Sequence, residues 1–134
     1  MNQLKLIFFL LFGLFFSACS IVSSDSNSSQ IVGQWEWFRS AGGFIGEIIT
    51  TDSAGVSTRH ITFKSNFKFS FFRADTVVVS GKYSISKKNG ETVISYDTEK
   101  KFFFDQRVRF KGNDTLILAD ECADCYINYY KRDK

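Results

Sequence analysis

From residue 31 onward, apolar and polar side chains alternate along short runs. In Gln34-Trp35-Glu36-Trp37-Phe38-Arg39 the two tryptophans share a face, and in His60-Ile61-Thr62-Phe63-Lys64 so do Ile61 and Phe63. Successive side chains of an extended chain point to opposite faces, so a period of two predicts half-buried β-strands. Residues 66–73 put Phe67, Phe69 and Phe71 together with Lys68 and Ser70 opposite, and Ser65-Asn66 suits a hairpin turn. Residues 76–85 predict one long strand, or two with a bend at Gly81, where a glycine permits close backbone approach. Lys87-Lys88-Asn89-Gly90 predicts a tight hairpin, because Asn-Gly readily takes the positive φ values such a turn requires. Further strands are expected at 92–96, 101–104, 106–110, 115–119 and 126–131, with a turn at Gly112-Asn113-Asp114. Residues 41–55, with four glycines, resist a strand assignment and read as a long loop, either functional, capping an opening, or a disordered insertion.

Eight to ten short strands with tight turns predict an all-β fold. Short strands at this spacing point to an antiparallel barrel or sandwich, and a single antiparallel up-and-down β-barrel of about eight strands is the expectation, since closure removes exposed strand edges. Composition reinforces this once the first 18 residues are set aside. From Cys19 onward there are two leucines and no methionine, against eight valines, ten isoleucines and eight threonines. These β-branched side chains, with eighteen aromatics, suit a pleated surface better than a helix.

The N-terminus follows a different pattern. Lys5 precedes an eleven-residue run, Leu6 to Phe16, in which only Gly13 is not apolar. Its length fits a secretory h-region and falls short of the ~20 residues that span a bilayer, so residues 1–18 are expected to be a cleaved signal peptide. Phe16-Ser17-Ala18-Cys19 resembles the bacterial lipobox, which implies acylation of Cys19 with fatty acids of the palmitate class and a lipoprotein held to a membrane by its N-terminus. The alternative is ordinary cleavage after Ala18 that leaves a free Cys19 thiol. Ser20 follows the cysteine where the enterobacterial inner-membrane signal has Asp, which by resemblance implies the outer membrane, facing the periplasm or the medium. Residues 19–30, with six serines and few apolar side chains, read as a flexible tether, and 31–134 as the folded domain.

Gly33-Gln34-Trp35 at the start of the first strand resembles the Gly-x-Trp signature of lipocalin (calycin) barrels. The resemblance extends through Ser40-Ala41-Gly42-Gly43-Phe44, Gly81-Lys82-Tyr83-Ser84-Ile85, Asp114-Thr115-Leu116 and Tyr129-Tyr130-Lys131-Arg132. Together these are similar to the small lipocalin-like lipoproteins of Bacteroidetes. The resemblance implies that Gly33 and Trp35 close the barrel floor, with Lys131 or Arg132 laid across the tryptophan ring.

Candidate chemistry is sparse. Cys122-Ala123-Asp124-Cys125 reads first as a structural disulfide in an oxidising compartment. A redox-active pair and a metal site with Asp120, Glu121 and Asp124 are the alternatives, though strand flanks offer no helix N-terminus and the single histidine, His60, is distant. His60 reads as a solvent-facing strand residue. Arg107 and Arg109 share a face, either an exposed sheet surface or an anion site. Phe71-Phe72 and Phe102-Phe103-Phe104 break the alternation, either between layers or as an exposed aromatic patch.

No phosphate loop, nucleophile elbow or metalloprotease helix is present in the sequence, so neither a cofactor nor a metal nor an enzymatic activity is expected. Seventeen basic residues against fourteen acidic give no reason to expect nucleic acid. The expected function is a lipid-anchored envelope barrel that binds a small hydrophobic ligand, with Trp37, Phe67, Phe69 and Phe71 as candidate contacts. The alternative is an envelope protein-interaction module, an inhibitor or assembly factor with a solid core. A lined void of ~300 Å³ or more separates the first from the second.

Overall fold

Burial follows the predicted period of two. Trp35 and Trp37, Ile61 and Phe63, and Leu116 and Leu118 are almost fully buried, while the residues between them are at least partly exposed. The computed structural model describes residues 26–53, 55–100 and 104–134. A short helix, α1 (Ser26–Gln30), precedes nine strands: β1 (Gly33–Gly42), β2 (Glu47–Thr50), β3 (Arg59–Phe63), β4 (Lys68–Arg73), β5 (Thr76–Lys88), β6 (Glu91–Asp97), β7 (Gln106–Lys111), β8 (Thr115–Asp120) and β9 (Tyr126–Arg132). The signal-like segment, Cys19 and residues 101–103 of the strand expected over 101–104 lie outside the described residues, and Phe104 is not in a strand.

Strands β3 to β9 follow one another as antiparallel neighbours, and β9 returns to pair with β1 from Trp35↔Arg132 to Gly42↔Tyr126. The lower half of β1 pairs with β3, from Gly33↔Phe63 to Glu36↔His60. These pairings close an eight-stranded antiparallel barrel, as expected. The ninth strand, β2, pairs with β1 above β3, from Arg39↔Thr50 to Gly42↔Glu47. Residues 41–55 are therefore not a plain loop: β1 continues through Gly42, and four residues add a strand along its upper edge.

Two bulges adjust the alternation. One between Trp37 and Arg39 turns Ser40 inward after Trp37. The other separates Phe71 from Phe72, leaving Phe72 to stack on His60 with ring centroids 4.2 Å apart. This explains why Phe71-Phe72 looked apolar on both faces. Strand β5 runs unbroken, and Gly81 is required in it because a Cβ there would sit 2.2 Å from the Asp97 carbonyl oxygen.

The tether expected through Gln30 ends earlier, since Ser26–Gln30 forms one turn of helix across the lower end. Asn27 donates to Thr92 Oγ1 (2.7 Å), Gln30 donates to the Gly112 carbonyl (3.1 Å), and Ile31 is fully buried. The interior above is filled in the lower and middle layers by Trp35, Phe63, Leu116, Trp37, Ile61 and Leu118.

Candidate functional site: the polar mouth of the barrel

The strand directions place the β1–β2 and β4–β5 turns, the 98–105 connection and the 121–125 turn at the upper end. The lower end is closed by α1 and by Arg132. Its guanidinium lies 4.1 Å from the Trp35 ring centroid, with Nε donating to the Asn113 carbonyl, Nη1 to that of Val32 and Nη2 to that of Gln30. Trp35 Nε1 in turn donates to the Ile31 carbonyl at 2.7 Å. Gly33 has φ +139°, and a Cβ there would fall 2.6 Å from Arg132 Nη1. Of the two cations offered by the sequence, Arg132 crosses the tryptophan, while Lys131 points outward and pairs with Glu36 at 3.3 Å.

Continuing the inward face of each strand upward changes the chemistry. Above Ile61 comes Arg59, above Leu118 comes Asp120, above Val108 comes Gln106, and above Tyr130 comes Asn128. With Trp37, Phe71, Phe104 and Tyr130 they line a half-open cavity of about 160 Å³. More open concavities of about 510, 450 and 400 Å³ lie along the outer strands, with charged residues in their linings. The cavity is smaller than the ~300 Å³ that separates a typical ligand pocket from a filled core, because aromatics occupy the two layers beneath it.

Most polar groups of the mouth already serve one another. Tyr96 Oη donates to Gln106 Oε1 (2.7 Å), and Gln106 Nε2 donates to Asp120 Oδ1, which stands beside the Tyr126 backbone N–H. Trp37 Nε1 donates to Ser40 Oγ, which donates to Asn128 Oδ1 at 2.6 Å. That chain of donors sets the Asn128 amide with its oxygen toward Ser40. Desolvation raises the Asp120 carboxyl above its ordinary range, against the opposing pull of the Gln106 and Tyr126 hydrogen bonds. Burial likewise raises Tyr96 and Tyr130.

Arg59 is the exception. Its guanidinium lies 4.7 Å from the Trp37 ring centroid, and its Nε is buried without an acceptor. Among the described residues no carboxylate stands within salt-bridge distance of it. Desolvation and the neighbouring Arg73 both lower its pKa. Arg59 sits two residues before Ile61 and four before Phe63, so period two places it inward, a signal masked by the ordinary preference of arginine for solvent.

The candidate ligand contacts separate. Trp37 and Phe71 line the cavity, Phe69 is buried in the core, and Phe67 is exposed. Phe67 lies before β4 in a turn with φ +60°, so the alternation does not extend to it. Phe104 reaches the mouth, while Phe102 and Phe103 lie outside the described residues. Arg107 and Arg109 lie on the outer face with the Glu91 carboxylate between them, which their hydrogen bonds hold below the usual carboxylate range. The anion of that pair is thus a residue of the chain.

Cys122 and Cys125 form a disulfide, with Cα atoms 5.5 Å apart, in the turn between β8 and β9. Of the three carboxylates named with them, Asp120 is engaged with Gln106 and Glu121 with Lys88 at 3.0 Å. No family model, curated protein or solved structure matches the chain.

Proposed function

We propose that the chain is a lipid-anchored envelope protein whose lipocalin-like barrel binds one small, compact ligand at its open end without transforming it. The observation that carries the binding reading is the half-open cavity of about 160 Å³ over a filled core, with aromatic walls and a polar rim. Being smaller than the ~300 Å³ set above for a ligand-filled barrel, it does not suit the hydrophobic ligand first expected and excludes an extended acyl chain; it suits only a benzene-sized guest that meets Trp37 and Phe71 on one side and amide or charged groups on the other. The lipobox-like Phe16-Ser17-Ala18-Cys19 supports anchoring at Cys19. A second reading, docking to another envelope protein, is favoured by the β1–β2 hairpin, where Phe44 is 89% and Ile45 83% exposed.

Native mass spectrometry of the protein extracted from its own envelope tests both parts of the proposal. The expected spectrum shows a chain beginning at Cys19, heavier by its acyl groups, with a released small molecule. A chain without acyl mass overturns the anchor. A ligand-free barrel that instead carries a partner protein favours the hairpin reading.

A further inference from the structure

We propose that the mouth is a site for a small organic monoanion, a carboxylate on a compact apolar body, with Arg59 as its charged anchor. This rests on the reading of the mouth as a ligand site and names the class of ligand.

Most polar groups of the mouth are already spent on one another. Asp120, Gln106, Tyr96, Ser40 and the Asn128 carbonyl oxygen are engaged with neighbouring groups. Arg59 remains, with a buried Nε that has no acceptor and no carboxylate in reach among the described residues. A buried donor left unmade is costly, and more so when it is charged, so an acceptor arriving from solution meets a standing deficit. Across the β3–β4 pair Arg59 stands opposite Arg73, which adds positive potential. The other unpaired arginine nitrogen, Arg39 Nε, belongs to a side chain that lies over Tyr129 outside the cavity.

The walls decide the kind of anion. One guanidinium fork matches one carboxylate edge, and Asn128, in the same lining, carries a neutral amide. The Asp120 carboxylate in the same wall disfavours a phosphate dianion. Trp37, Phe71 and Phe104 supply apolar faces. A volume of about 160 Å³ resembles that of cavities which accept a benzene-sized guest, about 150 Å³. Benzoate has the required charge, size and flatness, and is the probe of choice.

The test follows backbone amide resonances of the intact protein while benzoate, toluene or inorganic phosphate is added. Benzoate is expected to shift, saturably, the amides of Trp37, Arg59, Phe71, Phe104 and Asn128. Toluene and phosphate should each act at least tenfold more weakly. Arg59→Gln should weaken benzoate binding at least tenfold, with Arg107→Gln, on the outer wall, as the unchanged control. Should Arg59→Gln fail to fold, the comparison of benzoate with toluene on the unaltered protein still decides. Toluene shifting the mouth as strongly as benzoate overturns the anion site and leaves the small-ligand reading standing. No shift of the mouth amides by any probe up to about 10 mM overturns both. Shifts confined to the concavity around Val78 and Lys100 place the site elsewhere and overturn the proposal.

Discussion

Arg132 and Arg59 are inward-facing arginines stacked on tryptophans, with opposite consequences. Arg132 has carbonyl acceptors for its nitrogens and locks the lower end; Arg59 lacks an acceptor for its buried Nε, and the cavity at the upper end lies before it. Trp35 is the partner on which the lower lock depends, being fully buried, stacked under Arg132 and bonded to Ile31. Trp35→Ala should therefore cost about 3–5 kcal/mol, the usual loss for a buried large aromatic, and unfold much of the population at ordinary temperature. Thermal melting checks this, and a melt within a few degrees of the unaltered protein would remove Trp35 from that role. Asp120 gives a pH dependence with a definite sign. Its folded pKa lies above the ordinary 3.8 because desolvation penalises the carboxylate. The penalty is absent below that ordinary value, grows as pH rises through it toward the raised folded value, and is complete above. Asp120→Asn, which keeps an oxygen for Gln106, should thus gain on the unaltered protein as pH rises through the acid range and show no further gain beyond it. Denaturant titrations from pH 3 to pH 7 measure this; a gap that narrows as pH rises would refute it.

The strands differ in how firmly they are held. Strands β5 and β6 share a register from Lys82↔Asp97 to Lys88↔Glu91, whereas β6 and β7 are paired only at Val93↔Arg107 and Ile94↔Gln106. Amide exchange should accordingly be faster at Ser95, Tyr96 and Asp97, which are paired with β5 alone, than at Val93 and Ile94, which are paired on both sides. Mass-resolved exchange reads this directly, and equal protection at the two sets would contradict it. The disulfide turn is local in the same sense. Its cysteines are three residues apart, so the bridge removes little chain entropy. Replacing both Cys122 and Cys125 with Ser should leave the fold intact and cost no more than about 2 kcal/mol; loss of the fold in calorimetry would show a larger role. Which elements the sequence disclosed follows from the same physics. Trp35 with Trp37, Ile61 with Phe63, and Asn89-Gly90 carry local signals, a period of two and a turn that needs positive φ. Strand β2 has none, with four residues between turns and Ile48 exposed, and it exists because the edge of β1 extends above β3. Helix α1 is Ser-Asn-Ser-Ser-Gln, without an apolar stripe, and is held by tertiary bonds from Asn27 and Gln30.

At the scale of the whole molecule the barrel is graded from bottom to top. Helix α1 and Arg132 close one end, aromatics and leucines fill the middle, and polar groups with a small cavity occupy the other end. Closure was expected because an open sheet of these strands would leave exposed edges, although their alternation alone suits a sandwich as well. The gradient was not, because it depends on how far each strand climbs before its inward position passes the rim, a matter of register rather than of local pattern. Arg59, Gln106, Asp120 and Asn128 come from four strands and meet only after the sheet has closed. Helix α1 leads into the closed end, so whatever grips the chain ahead of Ser26 grips the barrel by its base, like a cup on a stalk. The opening lies at the end of the barrel opposite α1, so a ligand bound there as proposed would not have to pass the closed end.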